Sequence, residues 1–279
     1  MSGITDEITT AEVTPGVRIP LLGLGTWPLM DENATAAVVQ AINNGYRHID
    51  TAENYRNEAA VREGIRRSGI DREDLFLTTK FNTRWHSRSG VRDAFGAAVK
   101  RLGSDYLDLF LVHWPNPQQG RFVEACEGLQ DLVDNGSIRA WGVSNFKPAH
   151  LRLVQDAGLA VPLNQIQLDP EHGQAGQLAY HREHGILTGA YSPLGRNGGF
   201  LNHPAVSGPA RELGKTKAQI ALRWHVQHGR VAVPKSADSH RQRENLDVFS
   251  FALTQQQMAA IDALETGAPP RLDSDTYFH

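Results

Sequence analysis

YLDLFLVHWPNPQQGRFVEACEGLQDLVDNGSIRAWGVS, residues 106–144, holds the unit on which the fold turns. It opens with an apolar, strand-like run, YLDLFLVH (106–113). Phe122, Cys126, Leu129 and Val133 follow at helical spacing, and Asn135-Gly136 stops them. IRAWGVS (138–144) then reads as a second strand. Strand, helix and strand in succession imply a parallel pair joined by a crossover.

The same rhythm runs outward in both directions. Upstream lie LLGLG (21–25), RHID (47–50) and LFLTTK (75–80), with helical patterns over 33–44 and near 57–67. A further helical pattern carries Val91, Phe95, Ala98 and Leu102 and stops at Gly103. Downstream, a helix opens near Pro148, and LNQIQL (163–168) and ILTGAY (186–191) flank a helix near 174–183. Thr216 to Gln219 reads as a capping box before Ile220, Leu222 and Trp224. VAVP (231–234) is the eighth strand, followed by a helix near 240–246 and one from the Thr254–Gln257 box. Eight such units in 279 residues predict a single (β/α)8 TIM barrel, with a doubly wound open sheet as runner-up. VTPGVRIP (13–20) reads as an N-terminal β-hairpin capping the barrel floor, and residues 1–10 are a candidate for disorder. No linker or charge run divides the chain, so 1–279 is expected to be one domain.

With 40% hydrophobic and 21% charged residues, the composition is that of a globular protein with a large core. A net charge of −3 gives no electrostatic case for nucleic acid or an anionic membrane. One cysteine excludes an internal disulfide, and the polar start carries no apolar signal core. The expectation is a cytoplasmic protein, a monomer, with no membrane partner.

In a barrel of this kind the chemistry lies where strands end and βα loops begin. Those ends carry Thr26-Trp27, Asp50 with Tyr55 beyond it, Lys80, His113-Trp114, Ser144-Asn145, Asn164-Gln165, Tyr191-Ser192 and Lys235-Ser236. Tyr55, Asp50, Lys80 and His113 make a catalytic set. A lysine ammonium beside a phenol lowers its pKa, an aspartate keeps that lysine charged, and a histidine orients a substrate oxygen. That arrangement suits carbonyl reduction, in which hydride goes to carbon and a proton to oxygen. No side chain supplies hydride, so a cofactor is required. GLGTWP (23–28) lacks the third glycine of the dinucleotide fingerprint and opens no helix. PKSADSHRQREN (234–245) offers Lys235, Ser236 and Arg241 at a helix start, and two cations there favour the extra phosphate of NADPH. Tyr191 presents an aromatic face for a nicotinamide, while Ser144, Asn145 and Gln165 can grip its carboxamide.

The segments LGLGTW (22–27), GYRHIDTAENYRNE (45–58), LTTK (77–80), LGSDYLDLFLVHWP (102–115), GVSNF (142–146), NQIQ (164–167), YSPLG (191–195) and VPKSADSHRQREN (233–245) resemble the aldo-keto reductase family. They cover almost the whole chain, and it looks most like the prokaryotic 2,5-diketo-gluconate reductase branch. The resemblance implies NADPH across the C-terminal rim, Tyr55 as general acid and Asp50, Lys80 and His113 as its partners. It implies Ser192 and Leu194 along the pyrophosphate, Glu244 and Asn245 at the adenine, and Thr26 and Trp27 among the cofactor contacts. Trp27 and Trp114 would wall a substrate pocket completed by Tyr55 and His113, for aldehydes, ketones, dicarbonyls and sugar-derived carbonyls. The alternative is an NADPH-binding sensor or scaffold with little turnover. The chain departs from many relatives at Asn82, Gln167 and Asp169, and its short tail, PPRLDSDTYFH, predicts an open pocket. A metal-dependent hydrolase is disfavoured. His181, Glu183 and His184 lack zinc-motif spacing, and no metal site is expected.

Overall fold

The computed structural model describes residues 9–196 and 198–277. A hairpin pairs β1 (Thr10–Thr14) with β2 (Val17–Pro20) in antiparallel register. Then β3 (Leu24–Gly25), α1 (Asp31–Asn43), β4 (His48–Asp50), α2 (Glu58–Ser68), β5 (Phe76–Phe81), α3 (Arg88–Leu102) and β6 (Leu107–Val112) alternate. The alternation continues through α4 (Phe122–Asp134), β7 (Ile138–Ser144), α5 (Pro148–Asp156), β8 (Leu163–Gln167), α6 (Ala175–Glu183) and β9 (Leu187–Tyr191). Two helices, α7 (Pro204–Leu213) and α8 (Lys217–Gln227), precede β10 (Val231–Val233); α9 (Ser239–Leu246) and α10 (Gln255–Asp262) follow it.

β3 to β10 form one parallel sheet in sequence order. Its two edge strands meet and close the ring. Ala232 N donates to Leu21 O at 2.8 Å, Gly23 N to Ala232 O at 2.9 Å and Gly25 N to Pro234 O at 3.1 Å. This seam makes the fold a (β/α)8 barrel and removes the open-sheet alternative. The seam needs a glycine, because a Cβ on Gly25 would stand 2.6 Å from the Val233 carbonyl oxygen. The hairpin enters at the N-terminal end of β3 and buries Val13 and Ile19 in the main core, as expected of a cap on the floor.

Local sequence explains the elements. β5 and β6 are buried along their whole length, which is why their sequences run apolar without alternating. Ser87 caps α3 by accepting from Gly90 N at 2.9 Å, and Gly103 ends it at φ +64°. The boxes at Thr216–Gln219 and Thr254–Gln257 form as read. Two expectations change. Helix α7 is additional, in a segment to which the sequence assigned no element: Pro204 opens a helix capped by His203 that buries Val206 and Ala210. Of the candidate disordered start, residues 1–10, residues 1–8 lie outside the described residues, while Thr10 is ordered and pairs with Pro20.

Candidate active site

Parallel strands deliver their last residues to one rim. Asp50 ends β4, Lys80 lies near the end of β5, His113 follows β6, Ser144 ends β7 and Tyr191 ends β9. Tyr55 closes a single helical turn, Glu53–Tyr55, in the loop after β4; Arg56 at φ +55° turns the chain away. Lys80 is 1% exposed, and its Nζ donates to Asp50 Oδ1 at 2.6 Å and to the Thr51 carbonyl at 3.0 Å. The other Asp50 oxygen, Oδ2, accepts from Gln165 Nε2 at 2.8 Å. The ammonium stands 5.3 Å from the centre of the Tyr55 ring. The Tyr55 and His113 rings meet edge to face at 5.8 Å.

The electrostatics differ from the expected lowering of the phenol pKa. Burial draws the Lys80 ammonium down from its ordinary value, while the charge and hydrogen bond of Asp50 oppose that. Tyr55 keeps some exposure toward the cleft, yet the surrounding protein pushes its phenol well up; Asp50 adds to the rise and Arg196 opposes it. Burial is the larger cause, because a phenolate taken from water loses its solvation, and the Asp50 carboxylate adds to it by repelling that charge. Tyr55 is thereby held protonated, the form in which a phenol donates a proton.

Above this set opens a cleft of about 1100 Å3. It is lined by Thr26, Trp27, Asp50, Tyr55, His113 and Trp114, and by Ser144, Asn145, Gln165, Tyr191, Ser192 and Leu194. Lys235, Ser236, Arg241, Glu244 and Asn245, from the segment after β10, line the same cleft. Of the residues selected at the strand ends and in PKSADSHRQREN, all but Lys80 and Asn164 therefore border one space.

The central groups hold one another. Asn145 takes φ +65°, which turns its amide to donate to the His113 carbonyl at 3.0 Å. Tyr191 Oη donates to Asn145 Oδ1 at 2.8 Å, and Ser144 Oγ donates to the Gln165 carbonyl at 2.8 Å. After β10, Asp238 caps α9 by accepting from Arg241 N at 2.9 Å. Ser236 Oγ accepts from Asp238 N at 3.2 Å. Lys235 and Arg241 are exposed, and among the described residues neither forms an ion pair with a carboxylate. Two uncompensated cations beside a helix start suit a phosphate. Volume, aromatic face and cations together fit a dinucleotide laid along the cleft.

Several lining residues were not legible beforehand. Arg196, Asn54, Thr216, Leu272 and Tyr277 all border the cleft. The short tail does not leave it open: Tyr277 packs on Trp114 at 4.7 Å between ring centres. The tail is fastened by Lys147 Nζ to Asp273 and Asp275 at 2.5 Å each, and by His150 Nε2 to Asp275 at 2.9 Å. The unusual Gln167 takes part, since its Oε1 accepts from Arg271 N at 3.0 Å. Asp169 accepts from the backbone of Glu171 and His172, and Asn82 N donates to Glu53 Oε2 at 3.1 Å. His181 is buried among Asn164, Gln177 and Thr188, and the described residues contain no cluster of metal ligands.

The model of the Aldo/keto reductase family matches residues 21–266. The chain belongs to this family. An aldo-keto reductase of Mycolicibacterium smegmatis is 45% identical over 256 residues, covering 90% of this chain and 92% of its own. The 2,5-diketo-D-gluconic acid reductase B of a Corynebacterium is 42% identical over 272 residues, covering 97% and 98%. Among solved structures, an aldo/keto reductase from Brucella melitensis superposes with a TM-score of 0.88 at 40% identity, covering 93% of this chain and all of its own. A mutant of Gox0644 in complex with NADPH superposes with a TM-score of 0.92 at 34% identity, covering 98% and 100%. As an aldo/keto reductase the protein is an oxidoreductase of carbonyl compounds that takes small molecules as substrates. The nicotinamide-bound neighbour supports a nicotinamide cofactor. No helix among the described residues is long and apolar enough to cross a membrane.

Proposed function

We propose that this chain, acting as one barrel unit, reduces aldehydes, ketones, dicarbonyls and sugar-derived carbonyls to alcohols with NADPH, and that Tyr55 is the general acid. One observation carries the reading. A buried Lys80–Asp50 pair lies beside Tyr55 and His113, and the cleft these border is also lined by Lys235 and Arg241, neither of which forms an ion pair among the described residues.

When bound, the nicotinamide supplies the hydride. This chain's residues do the rest. Tyr191 offers the face on which the ring rests, and Ser144, Asn145 and Gln165 border the carboxamide. Lys235, Ser236 and Arg241 receive the ribose phosphate, which is the basis for NADPH over NADH. Glu244 and Asn245 border the adenine; Ser192, Leu194 and Thr26 border the path between. His113 orients the carbonyl oxygen, and Tyr55 Oη gives it a proton as negative charge develops there. Trp27 and Trp114 exclude water from the reacting carbon. Asp50 and Lys80 fix the floor on which Tyr55 stands.

NADPH oxidation followed by absorbance, with methylglyoxal or 4-nitrobenzaldehyde, tests this reading. Steady turnover is expected. Tight NADPH binding without turnover on any carbonyl would leave the sensor or scaffold alternative in its place.

A further inference from the structure

Among the described residues the Tyr55 hydroxyl makes no hydrogen bond, so its backbone turn and ring contacts set where it stands. The turn, Glu53–Tyr55, is held on both sides. On its exit side the buried Asn57 accepts from Thr51 Oγ1 at 2.8 Å and donates from Nδ2 to the Leu29 carbonyl at 2.8 Å. On its entry side the Glu53 carboxylate reaches across to the loop after β5. That loop makes a helical turn of its own, Thr83–Trp85, just beyond the strand that bears Lys80.

Three residues of the loop converge on Glu53. Its Oε2 accepts from Asn82 N at 3.1 Å and from Trp85 Nε1 at 3.0 Å. Its Oε1 accepts from the Arg84 guanidinium, which also stacks 4.7 Å over the Trp85 ring. Every partner is a donor, and only a carboxylate accepts on both oxygens. The Glu53 side chain is 8% exposed and that of Arg84 65% exposed. Solvent therefore screens the pairing with Arg84, and the bonds to Asn82 and Trp85 do most of the holding. Among the described residues, neither Glu53 nor any residue of the loop 82–87 borders the cleft. The loop meets the site through Glu53, not through substrate.

We propose that Glu53 is a positioning residue for the reduction: its carboxylate ties the turn carrying Tyr55 to the loop after β5, and so holds the Tyr55 hydroxyl where the substrate oxygen takes its proton. This rests on the reading of Tyr55 as general acid. The effect is carried by geometry, and misplacing a reacting group by about 1 Å costs up to about a hundredfold in rate.

The test is single-turnover NADPH oxidation with 4-nitrobenzaldehyde, alongside steady-state KM and an NADPH affinity measured by fluorescence. Wild-type protein is compared with Glu53→Gln, Trp85→Phe and Tyr55→Phe, and with Glu53→Gln in the Tyr55→Phe background. In Glu53→Gln an amide nitrogen must face one of the donors; in Trp85→Phe the Nε1 donor is lost while a ring remains. The single-turnover rate should fall roughly ten- to hundredfold in Glu53→Gln and roughly three- to tenfold in Trp85→Phe, with KM and NADPH affinity within about twofold of wild type. Once Tyr55→Phe has removed the hydroxyl through which Glu53 acts, Glu53→Gln should slow the residual reaction by less than about twofold. Trp85→Phe crossed with Tyr55→Phe gives the same comparison in a chain whose Glu53 is intact. A merely structural role would slow both backgrounds by the same factor, and that result overturns the proposal. Wild-type rates in both Glu53→Gln and Trp85→Phe also overturn it. No turnover by the wild-type protein, or an undiminished rate in Tyr55→Phe, defeats the general-acid reading itself, and the proposal with it.

Discussion

Gln165 donates from Nε2 to Asp50 Oδ2 at 2.8 Å, so the carboxylate that meets Lys80 on one oxygen is gripped on the other as well. The bond joins β8 to β4 across the barrel interior. It also commits one amide proton of a side chain that borders the carboxamide in the proposed complex. Gln165→Leu removes the donor from a buried carboxylate, a loss of roughly 1–3 kcal/mol by the usual scale for such bonds. Urea unfolding should show that loss, whereas Gln165→Glu should cost more by placing a second carboxylate against Asp50.

Lys80 and Asp50 are buried as a pair, and breaking one member leaves an uncompensated charge. Lys80→Met should destabilise the fold by roughly 3–5 kcal/mol. The double variant Lys80→Met with Asp50→Asn should recover part of it. A double-mutant cycle from denaturant curves measures the coupling; independent, additive effects would contradict the pairing.

His48, His86 and His181 are each about 1% exposed, and burial pushes all three down to about 4. In the unfolded chain they titrate near 6.5, so between roughly pH 6.5 and 4 the unfolded state binds more protons. Stability is therefore full above that window and falls with decreasing pH, by about 1.4 kcal/mol per pH unit for each histidine. Among the described residues neither ring nitrogen of His86 has a hydrogen-bond partner. His86→Leu should accordingly remove about one proton from the slope and raise stability at pH 5. Tm measured from pH 4 to 7 checks both statements; an unchanged slope would contradict them.

Tyr277 rests on Trp114, which is 3% exposed, whereas Trp27 on the opposite wall is 45% exposed. Tyr277→Ala should raise KM for aromatic aldehydes about two- to tenfold, as expected from losing an aromatic contact. It should shift the emission of Trp114 toward longer wavelength. Stability should change little, because the Lys147 ion pairs that fasten the tail are exposed and do not involve the substituted ring.

The barrel was legible because its signals are local. Apolar runs such as LDLFLV at 107–112, glycine stops such as Gly103 and the boxes at Thr216 and Thr254 each declare themselves within a few residues. Strand ends then place Asp50, Lys80, His113 and Tyr191 on one rim, since parallel strands share a direction. Less legible was whatever depends on partners distant in sequence. Burial of the phenol by segments distant in sequence, with the Asp50 carboxylate beside it, leaves the Tyr55 pKa raised. The path of the tail depends on Lys147 and His150, more than a hundred residues earlier. Arg196 carried no signal, because an arginine after a glycine reads as an exposed loop cation. Its contact with the Trp27 ring joins residues far apart in sequence. Helix α7 was hidden by Gly208 and Pro209, residues that end helices more often than they occupy them.

The central claim is that the Tyr55 hydroxyl gives its proton to the carbonyl oxygen. Tyr55→Phe removes that one oxygen and keeps the ring against His113. The direct measurement is single-turnover NADPH oxidation by this variant, paired with its NADPH affinity. The account predicts that turnover falls by roughly a hundredfold or more, as for loss of a positioned general acid, with NADPH affinity within about twofold of wild type. Turnover at the wild-type rate with undiminished NADPH binding would contradict it.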